Sequence, residues 1–346
     1  MVGRFVFLVW IFISGSQGFA VHHGVVLQYH HISETMPDAT SVSLKTFKQH
    51  MQALRQGKFH VWPLAKLVNH VLAGKTVPDK TVAITFDDGY QSILAAIPIL
   101  KKNNYPFTIF VNCQEASGKK SIYLSWAQLS SLVNHRATIA NHGMTHDHMI
   151  RMRPRESPNQ WRQRLRIEMV SCQKEIVHKT GEKNSLFAYP YGESNQTVQR
   201  IIKELGWMAF GQHSGPIHKE SDRTRLPRFA FNRSYADVKE FIIKASSLPL
   251  RINSSTPVPT IIEGGGLRPQ FTIKLKRELN NFNCYASGYG KLPIKKKGVS
   301  VTIPSVGRSP VGRSRINCTA PAVKGRFFWK SWPFITKNKD GSWHQE

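Results

Sequence analysis

Residues 81–90 read TVAITFDDGY, and the order of residue types in this segment indicates the fold of the chain. The apolar run at residues 82–84 predicts a buried strand, which is followed by the adjacent carboxylates Asp87 and Asp88. In α/β folds, catalytic groups collect at the carboxyl ends of the strands. A solvated Asp-Asp-Gly turn has the same composition, so the segment alone does not decide between a turn and an active site.

The first 20 residues, MVGRFVFLVWIFISGSQGFA, have the layout of a secretory signal peptide. Arg4 precedes an apolar run over residues 5–13, and small residues lead up to Ala20. The run is shorter than the roughly 18 residues of a membrane-spanning helix, although an uncleaved anchor is an alternative. We therefore expect an exported protein, periplasmic or extracellular in the cell envelope, with no transmembrane segment after cleavage.

The charge balance is strongly basic: 48 Lys and Arg stand against 21 Asp and Glu, a formal net charge of +27. Such a surface suits an anionic polymer or an anionic membrane. No nucleic-acid-binding motif accompanies the charge, and a signal peptide argues against an intracellular partner, so we expect no nucleic-acid partner. Two interpretations are left: binding to an acidic cell envelope, and a soluble surface that is merely rich in cations.

The four cysteines lack CxxC spacing, which argues against a thiolate zinc site. Export permits disulfides, and Cys284 and Cys318 are the more expected pair because both lie in one short basic region. Cys113 follows a predicted strand and Cys172 lies in a predicted helix, so we predict that both are buried free thiols.

Predicted strands and helices alternate from residue 25 to residue 250, which indicates α/β architecture with a mostly parallel sheet, open or closed into a barrel. Residues 253–260 (NSSTPVPT) have the composition of a linker. The predicted organisation is a signal peptide at 1–20, an α/β domain at 21–250, a linker at 251–262 and a small, basic, mostly-β domain at 263–346.

Polar residues follow four of the predicted strands. They are Tyr29-His30-His31, Asp87-Asp88, Asn141-His142 with His146, and Tyr189-Pro190-Tyr191-Gly192. His142 and His146 are close enough in sequence to bind one metal, and two imidazoles with one carboxylate form a common catalytic zinc set. A solvated loop that happens to be rich in histidine is the alternative.

Three segments carry a resemblance to a known family: TFDDGY (85–90), NHGMTH (141–146) and FAYPYG (187–192). In order and spacing they are similar to the first three motifs of the polysaccharide deacetylases with a NodB-homology domain, carbohydrate esterase family four. The resemblance covers residues 25–250, and it implies a distorted (β/α) barrel that removes N-acetyl groups from amino-sugar polymers. QYHHIS (28–33) and SVSLKTFKQHM (41–51) resemble the poly-N-acetylglucosamine deacetylase branch of biofilm-forming bacteria.

The resemblance also implies a division of labour in the site. Asp88, His142 and His146 would bind a divalent metal, with Zn²⁺ expected first and Co²⁺ or Ni²⁺ as alternatives. Asp87 would be the general base that takes a proton from water.

The remaining roles follow from the same resemblance. The backbone N–H of Tyr191 would stabilise the oxyanion. Most of the family use a histidine in a late motif as the acid that protonates the leaving amine, and no match to that motif is evident. In the branch that the chain resembles, the histidine of an N-terminal YH motif has this role, which implies His30 here.

Three departures from the family pattern bear on the site. Gly143 stands where many members have Ser or Thr, so a hydrogen bond that supports the metal ligands could be missing. Ala188 stands where many members have an Arg that orients the base, and Arg228 is expected to supply that guanidinium instead. His148 is an alternative to His146 as a ligand, although family spacing favours His146.

These observations predict an exported metal-dependent hydrolase that deacetylates an N-acetylglucosamine-containing polymer. Rivals of the same fold would act on peptidoglycan, chitin oligomers or O-acetyl esters. A rival of another class is a non-catalytic carbohydrate-binding protein. The basic C-terminal domain is expected to be able to contact an anionic cell-envelope surface.

Overall fold

The computed structural model describes residues 20–118 and 120–345. The predicted signal peptide therefore lies outside the described residues, except for Ala20. Within the described ranges, no helix has both the length and the apolar character needed to cross a membrane.

Strands and helices alternate up to residue 250. The strands are β1 (Ala20–Val21), β2 (His23–Tyr29), β3 (His31–Ile32), β4 (Ser41–Val42), β5 (His60–Val61), β6 (Val77–Pro78), β7 (Thr81–Phe86), β8 (Phe107–Val111), β9 (Ala137–Asn141), β10 (Leu186–Ala188), β11 (Met208–Phe210), β12 (Ile217–His218), β13 (Phe229–Ala230) and β14 (Leu248–Pro249). The helices are α1 (Leu44–Gln56), α2 (Leu64–Leu72), α3 (Ile97–Lys102), α4 (Cys113–Ser117), α5 (Trp126–Val133), α6 (Pro158–Thr180), α7 (Gln196–Glu204) and α8 (Val238–Ala245). Short 3₁₀ turns cover Gln91–Ala96, Pro190–Gly192, Arg233–Tyr235 and Val323–Gly325.

Serine side chains cap three of these helices. Ser43 accepts a hydrogen bond from the backbone of Thr46 at the start of α1. Ser125 and Ser157 each form a capping box with a glutamine at the third helical position of α5 and α6. The long helix α6 ends at Gly181, which has a φ of 75°. These local signals explain where the three helices begin.

The central sheet curls into a distorted barrel. Its parallel strands run in the order β11-β10-β9-β8-β7-β2. The gap between β11 and β2 is bridged by one segment, in which Leu226 pairs with Phe210 and β13 pairs in parallel with β2. The predicted α/β fold with a (β/α) barrel is confirmed.

Alternation along β7 decides which side chains enter the barrel. All six residues of the strand are buried. Val82, Ile84 and Phe86 pack in the layer between the sheet and the helices, whereas Ala83 joins the cluster inside the barrel. Because side chains alternate along a strand, Asp87 follows Ala83 on the interior side. The strand therefore delivers this carboxylate into the mouth of the barrel.

The chain beyond residue 250 forms two antiparallel-rich sheets around a second core. Its strands are β15 (Ile252–Ser255), β16 (Ile261–Ile262), β17 (Phe271–Leu275), β18 (Asn283–Ala286), β19 (Gly290–Lys291), β20 (Lys295–Lys297), β21 (Ser300–Ile303), β22 (Gly312–Pro321) and β23 (Phe327–Thr336). The small β-rich C-terminal region is as predicted. The predicted linker at 251–262 contains β15 and β16, which pair with β17 and β23, and the predicted domain boundaries stay predictions.

The C-terminal sheet packs against the barrel. Strand β14 pairs with β23, and Trp329 meets Phe229 edge to face at 5.2 Å between ring centroids. Arg326 donates to both carboxylate oxygens of Asp79, at 3.0 and 2.9 Å. The two regions therefore share a packed interface.

All four cysteines are paired. Cys284 bonds to Cys318 across β18 and β22, as expected. The prediction that Cys113 and Cys172 are free thiols is wrong, because they form a second disulfide. Helix α6 packs on β9 and on α4, which brings the two Cα atoms to 5.4 Å although 59 positions separate them in sequence.

Candidate active site

The predicted site residues meet at the carboxyl end of the barrel. Asp87 and Asp88 follow β7, His142 follows β9, and His30 follows β2. The turn Pro190–Gly192 follows β10. Parallel strands end at one edge of a sheet, so residues that are far apart in sequence come together there.

Asp87 is fully buried and receives three side-chain hydrogen bonds. Arg228 donates from Nη1 to Oδ1 at 2.6 Å and from Nη2 to Oδ2 at 2.7 Å. Gln28 donates from Nε2 to Oδ2 at 2.7 Å. Burial opposes ionisation, but the guanidinium of Arg228, with smaller effects from His142 and His30, outweighs it and lowers the pKa of Asp87 below its ordinary value. The carboxylate is therefore charged and fixed in orientation.

Arg228 enters the barrel from the segment that closes it. Its side chain is fully buried, its Nε donates to the carbonyl of Gly211 at 3.0 Å, and it lies beside the rings of Phe110 and Phe210. The barrel thus brings the guanidinium of Arg228 to Asp87. We expected this contact because Ala188 stands where many family members have the arginine that orients the base. A guanidinium in this position can orient a carboxylate through two parallel bonds.

Asp88, His142 and His146 form a compact cluster. The Oδ1 atom of Asp88 lies 3.1 Å from Nε2 of His142 and 3.1 Å from Nε2 of His146. One potential ligand atom from each residue lies within 4.8 Å of the others. The predicted metal ligands are therefore assembled in one place.

The donor chemistry of this cluster fits a cation. The Nδ1 of His142 bonds to the carbonyl of Ala188 at 2.7 Å, which leaves Nε2 as an acceptor in the neutral tautomer. This Nε2 and Oδ1 of Asp88 are both buried and have no hydrogen-bond partner. Without a cation, their 3.1 Å separation requires a doubly protonated imidazole. Burial lowers the pKa of His142, but Asp88 and Asp87 more than offset this and raise it.

Three residues of the site hold left-handed backbone conformations that glycine normally occupies. They are Asp88, with a φ of 67°, His146, with a φ of 59°, and Tyr191, with a φ of 58°. Such conformations cost about 1–3 kcal/mol each and concentrate at functional sites. Two predicted ligands and the predicted oxyanion donor are therefore among the ten described non-glycine residues with a positive φ.

His30 lies on the other side of Asp87. Its Nε2 is 4.0 Å from Oδ2 of Asp87, and 12% of its side chain is exposed. Burial lowers the pKa of His30, and the two aspartates offset part of that effect. The adjacent His31 is engaged elsewhere, because it stacks on Tyr90 at 3.6 Å and bonds to Ser92 at 3.0 Å.

His148 supports the Tyr191 turn and stands apart from the metal cluster. Its ring stacks on that of Tyr191 at 3.8 Å with an interplanar angle of 5°. Its Nδ1 bonds to Glu193 at 2.9 Å. The same ring of Tyr191 lies 4.6 Å from that of His146. His148 therefore contacts the Tyr191 turn, and Glu193 occupies its Nδ1.

The glycine at position 143 has a backbone explanation. Its φ is 86°, and a Cβ there would lie 3.1 Å from Cε of Met149. Its N–H donates to Oδ1 of Asn141 at 2.8 Å. A Ser or Thr would be strained here. The support for His142 comes from the carbonyl of Ala188, as described above.

Gln28 and Glu193 were not among the predicted site residues. Gln28 is the one polar residue within the buried run of β2, which could have marked it as facing a buried partner. Glu193 follows the predicted PYG turn, but no sequence signal links it to His148.

A family model described as polysaccharide deacetylase matches residues 74–210. The chain contains a polysaccharide deacetylase domain. The family predicted from the sequence is thereby confirmed. The matched region of this domain includes the Asp88 cluster, Asp87 and Tyr191, whereas His30 and Arg228 reach the site from outside it.

Individual relatives agree with this assignment. The chain is 22% identical over 257 residues to poly-beta-1,6-N-acetyl-D-glucosamine N-deacetylase of Escherichia coli (strain K12). This similarity covers 64% of the chain and 38% of the relative, so the chain spans less than two fifths of that protein's length.

Two solved structures share the fold of the deacetylase domain. Streptococcus pyogenes deacetylase PplD, in complex with acetate, has a TM-score of 0.57 at 20% identity, covering 66% of this chain and 99% of the other. IcaB from Ammonifex degensii has a TM-score of 0.56 at 22% identity, covering 65% and 98%. The predicted barrel therefore belongs to a known deacetylase architecture.

Proposed function

We propose that the chain is an exported, metal-dependent hydrolase that removes N-acetyl groups from an N-acetylglucosamine-containing polymer. The deacetylase domain and the name of the E. coli relative support this reaction class. The observation that carries the proposal is the division of the two adjacent carboxylates. Asp88 faces two histidine nitrogens, whereas Asp87 is held by Arg228 and Gln28.

In this proposal, Asp88, His142 and His146 hold a divalent ion, Zn²⁺ first, with Co²⁺ or Ni²⁺ as alternatives. Such an ion supplies a Lewis acid that polarises the acetamido carbonyl. The three residues contribute one carboxylate and two neutral imidazoles, a ligand set that leaves room for substrate. The unpartnered atoms of Asp88 and His142 support this assignment.

Asp87 acts as the general base. Its carboxylate is charged because Arg228 lowers its pKa, and its orientation is fixed by three donors. It can therefore receive a proton from a water molecule that attacks the acetamido carbon. The backbone N–H of Tyr191 donates to the oxygen that becomes negative in the tetrahedral state. The stack on His148 keeps this turn in place.

His30 delivers a proton to the leaving nitrogen. Its imidazole is partly exposed in the cleft and lies 4.0 Å from Asp87. This separation is longer than a hydrogen bond, so a proton taken up by the base would pass to His30 through one bridging water molecule. Cleavage of the C–N bond then releases acetate and a free amine. His30→Gln should lower the rate of acetate release by about 10²–10⁴-fold, the usual contribution of a general acid.

Two disulfides support the proposal of export, because such bonds persist in oxidising compartments. The basic C-terminal region is proposed to contact anionic material of the cell envelope. Its exposed strand β20, Lys295–Lys297, has three consecutive lysines.

The test is acetate release from a panel of substrates by the full chain. We expect turnover of a poly-N-acetylglucosamine oligomer to exceed that of chitin oligomers, peptidoglycan and an O-acetyl ester. If another substrate of the panel is turned over faster, that substrate would take the place of poly-N-acetylglucosamine in the proposal. Binding to glycans without acetate release from any of them would favour the non-catalytic alternative.

A further inference from the structure

Two adjoining clefts lie between the deacetylase barrel and the C-terminal sheet. They have volumes of about 220 and 180 Å³, room for several water molecules at about 30 Å³ each. His213 and Arg225 line both clefts. Arg315 of β22 lines the larger cleft, and Lys330 of β23 lines the smaller. The walls are therefore built from both regions of the chain.

Three cations in these walls lack an anionic partner. Among the described residues, no carboxylate oxygen lies within 4.0 Å of a side-chain nitrogen of Arg225, Arg315 or Lys330. The guanidinium of Arg225 also makes no hydrogen bond to a described residue. Arg315 makes two long contacts, at 3.5 Å to the carbonyl of Gln212 and 3.4 Å to Ser214. All three side chains are partly buried.

The acids that line the same clefts are engaged with other groups. Glu193 bonds to His148 at 2.9 Å. Glu220 pairs with Lys276 at 2.6 Å. Asp222 accepts from the backbone N–H and hydroxyl of Thr224, at 2.9 and 2.7 Å. Asp222 offsets part of the positive charge at Arg225 and Lys330 from a distance, but none of these acids forms an ion pair with the three cations.

Such an arrangement is costly unless an anion completes it. Lysine and arginine are rarely buried without a partner, and desolvation costs several kcal/mol per ion. Burial lowers the pKa of Arg225 and Arg315, and burial together with the charge of Arg225 lowers the pKa of Lys330 to about 8. His213 cannot neutralise the cations, because an imidazole is either neutral or positive. It is buried, and its Nδ1 has no hydrogen-bond partner among the described residues.

We propose that the two clefts form a binding site for a phosphate or carboxylate group, held by Arg225, Arg315 and Lys330. An arginine guanidinium can donate two parallel hydrogen bonds to a phosphate or carboxylate group, and a lysine ammonium adds a positive charge. The ligand is a free ion or an acidic substituent of the polymer. The second source rests on the proposed deacetylase function.

The larger cleft adjoins the candidate active site. Tyr191 and Gly192 contribute to its wall. Arg313, from the same strand as Arg315, donates to the carbonyl of Tyr191 at 3.0 Å and lies 5.3 Å from its ring. A polymer that crosses the Tyr191 turn could therefore place an acidic substituent among the cations while an acetamido group lies beside Asp87.

The first experiment measures binding of inorganic phosphate to the full chain at constant ionic strength, by calorimetry and by the thermal unfolding midpoint. Wild type should bind phosphate at one saturable site and unfold at a higher temperature when it is present. Arg225→Gln and Lys330→Gln should weaken binding by at least about tenfold. Without phosphate, Arg225→Gln should be no less stable than wild type, because it removes a cation that has no anionic partner. Lys330→Gln also loses the contact of Lys330 with the ring of Trp332, at 5.6 Å, so it is not expected to gain stability.

Matched controls separate the site from general surface charge. Arg200→Gln on α7 and Lys101→Gln on α3 remove the same charges at exposed positions, and they should bind phosphate as wild type does. Equal weakening in the controls and the cleft variants would overturn the proposal. Absence of saturable binding to wild type would also overturn it.

The second experiment distinguishes the sources of the anion. KM for acetate release is compared between a neutral amino-sugar oligomer and one of equal length that carries an acidic substituent. A lower KM for the acidic oligomer that Arg225→Gln abolishes identifies the substituent as ligand. Equal KM values with retained phosphate binding identify the free ion. Phosphate binding is measured without turnover, so failure of the deacetylase proposal leaves this site testable.

Discussion

Replacing Arg228 with methionine tests the arrangement around Asp87. The substitution removes two of the three donors to a fully buried carboxylate and frees the carbonyl of Gly211. Breaking a buried ion pair by removing one partner costs about 3–5 kcal/mol, because the other charge is left unpaired. We expect a loss of this size in the free energy of unfolding, measured by urea titration of tryptophan fluorescence at pH 7. A typical total of about 5–15 kcal/mol allows the variant to stay folded.

A double variant separates the ion pair from the packing of the side chain. Asp87→Asn with Arg228→Met removes both charges, so it should recover about 2 kcal/mol relative to the sum of the single losses. Arg223→Met, at an exposed position in the same segment, should change stability by less than about 0.5 kcal/mol. A loss below about 1 kcal/mol for Arg228→Met, or strictly additive single losses, would refute the reasoning.

Three further predictions concern the metal, a disulfide and a buried histidine. His146→Ala should abolish stoichiometric binding of Zn²⁺ in calorimetry, and His148→Ala should retain it. The reverse result would exchange the assignments of His146 and His148. Replacing Cys113 and Cys172 with serine should lower the free energy of unfolding by about 4 kcal/mol, because the unfolded chain regains the entropy that closing a loop of this length removes. An unchanged urea midpoint would contradict the pairing. Burial lowers the pKa of His50 to about 4 in the folded state against about 6.5 unfolded, so the unfolded chain binds the extra proton as pH falls through 6.5. Between pH 7 and pH 4, wild type should therefore lose about 3 kcal/mol more stability than His50→Gln, and parallel pH profiles would contradict this.

Much of the barrel could be predicted because its signals are local. The strand before Asp87 is a short apolar run, and serine residues mark the starts of α1 and α5 in the sequence. The spacing of His142 and His146 indicated a ligand pair without knowledge of the fold. The rule that parallel strands end at one edge places the pair Asp87-Asp88 beside them. The choice of Asp88 as the ligand came from the family resemblance.

What could not be predicted depends on contacts between distant segments. The bond from Gln28 to Asp87 exists because neighbouring parallel strands align their side chains across the sheet. The pairing of Cys113 with Cys172 arises from the way α6 packs, which no local pattern encodes. The stack of His148 on Tyr191 likewise joins two loops through tertiary structure.

The cationic clefts illustrate the same limit. Composition showed that the chain is strongly basic, but it could not show which cations lack partners. Arg225 becomes conspicuous only when the C-terminal sheet brings Arg315 and Lys330 to the same wall. Whether a cation is paired depends on which residues surround it in the folded chain, and composition does not give those neighbours.

The most direct test of the central claim is acetate release from a poly-N-acetylglucosamine oligomer by wild type and by Asp87→Asn, each stripped with chelator and then reloaded with Zn²⁺. The account predicts that wild type loses activity on chelation and regains it with metal. Asp87→Asn should bind Zn²⁺ normally but release acetate at least about 10²-fold more slowly. Full turnover by the chelated wild type, or by reloaded Asp87→Asn, would contradict the account.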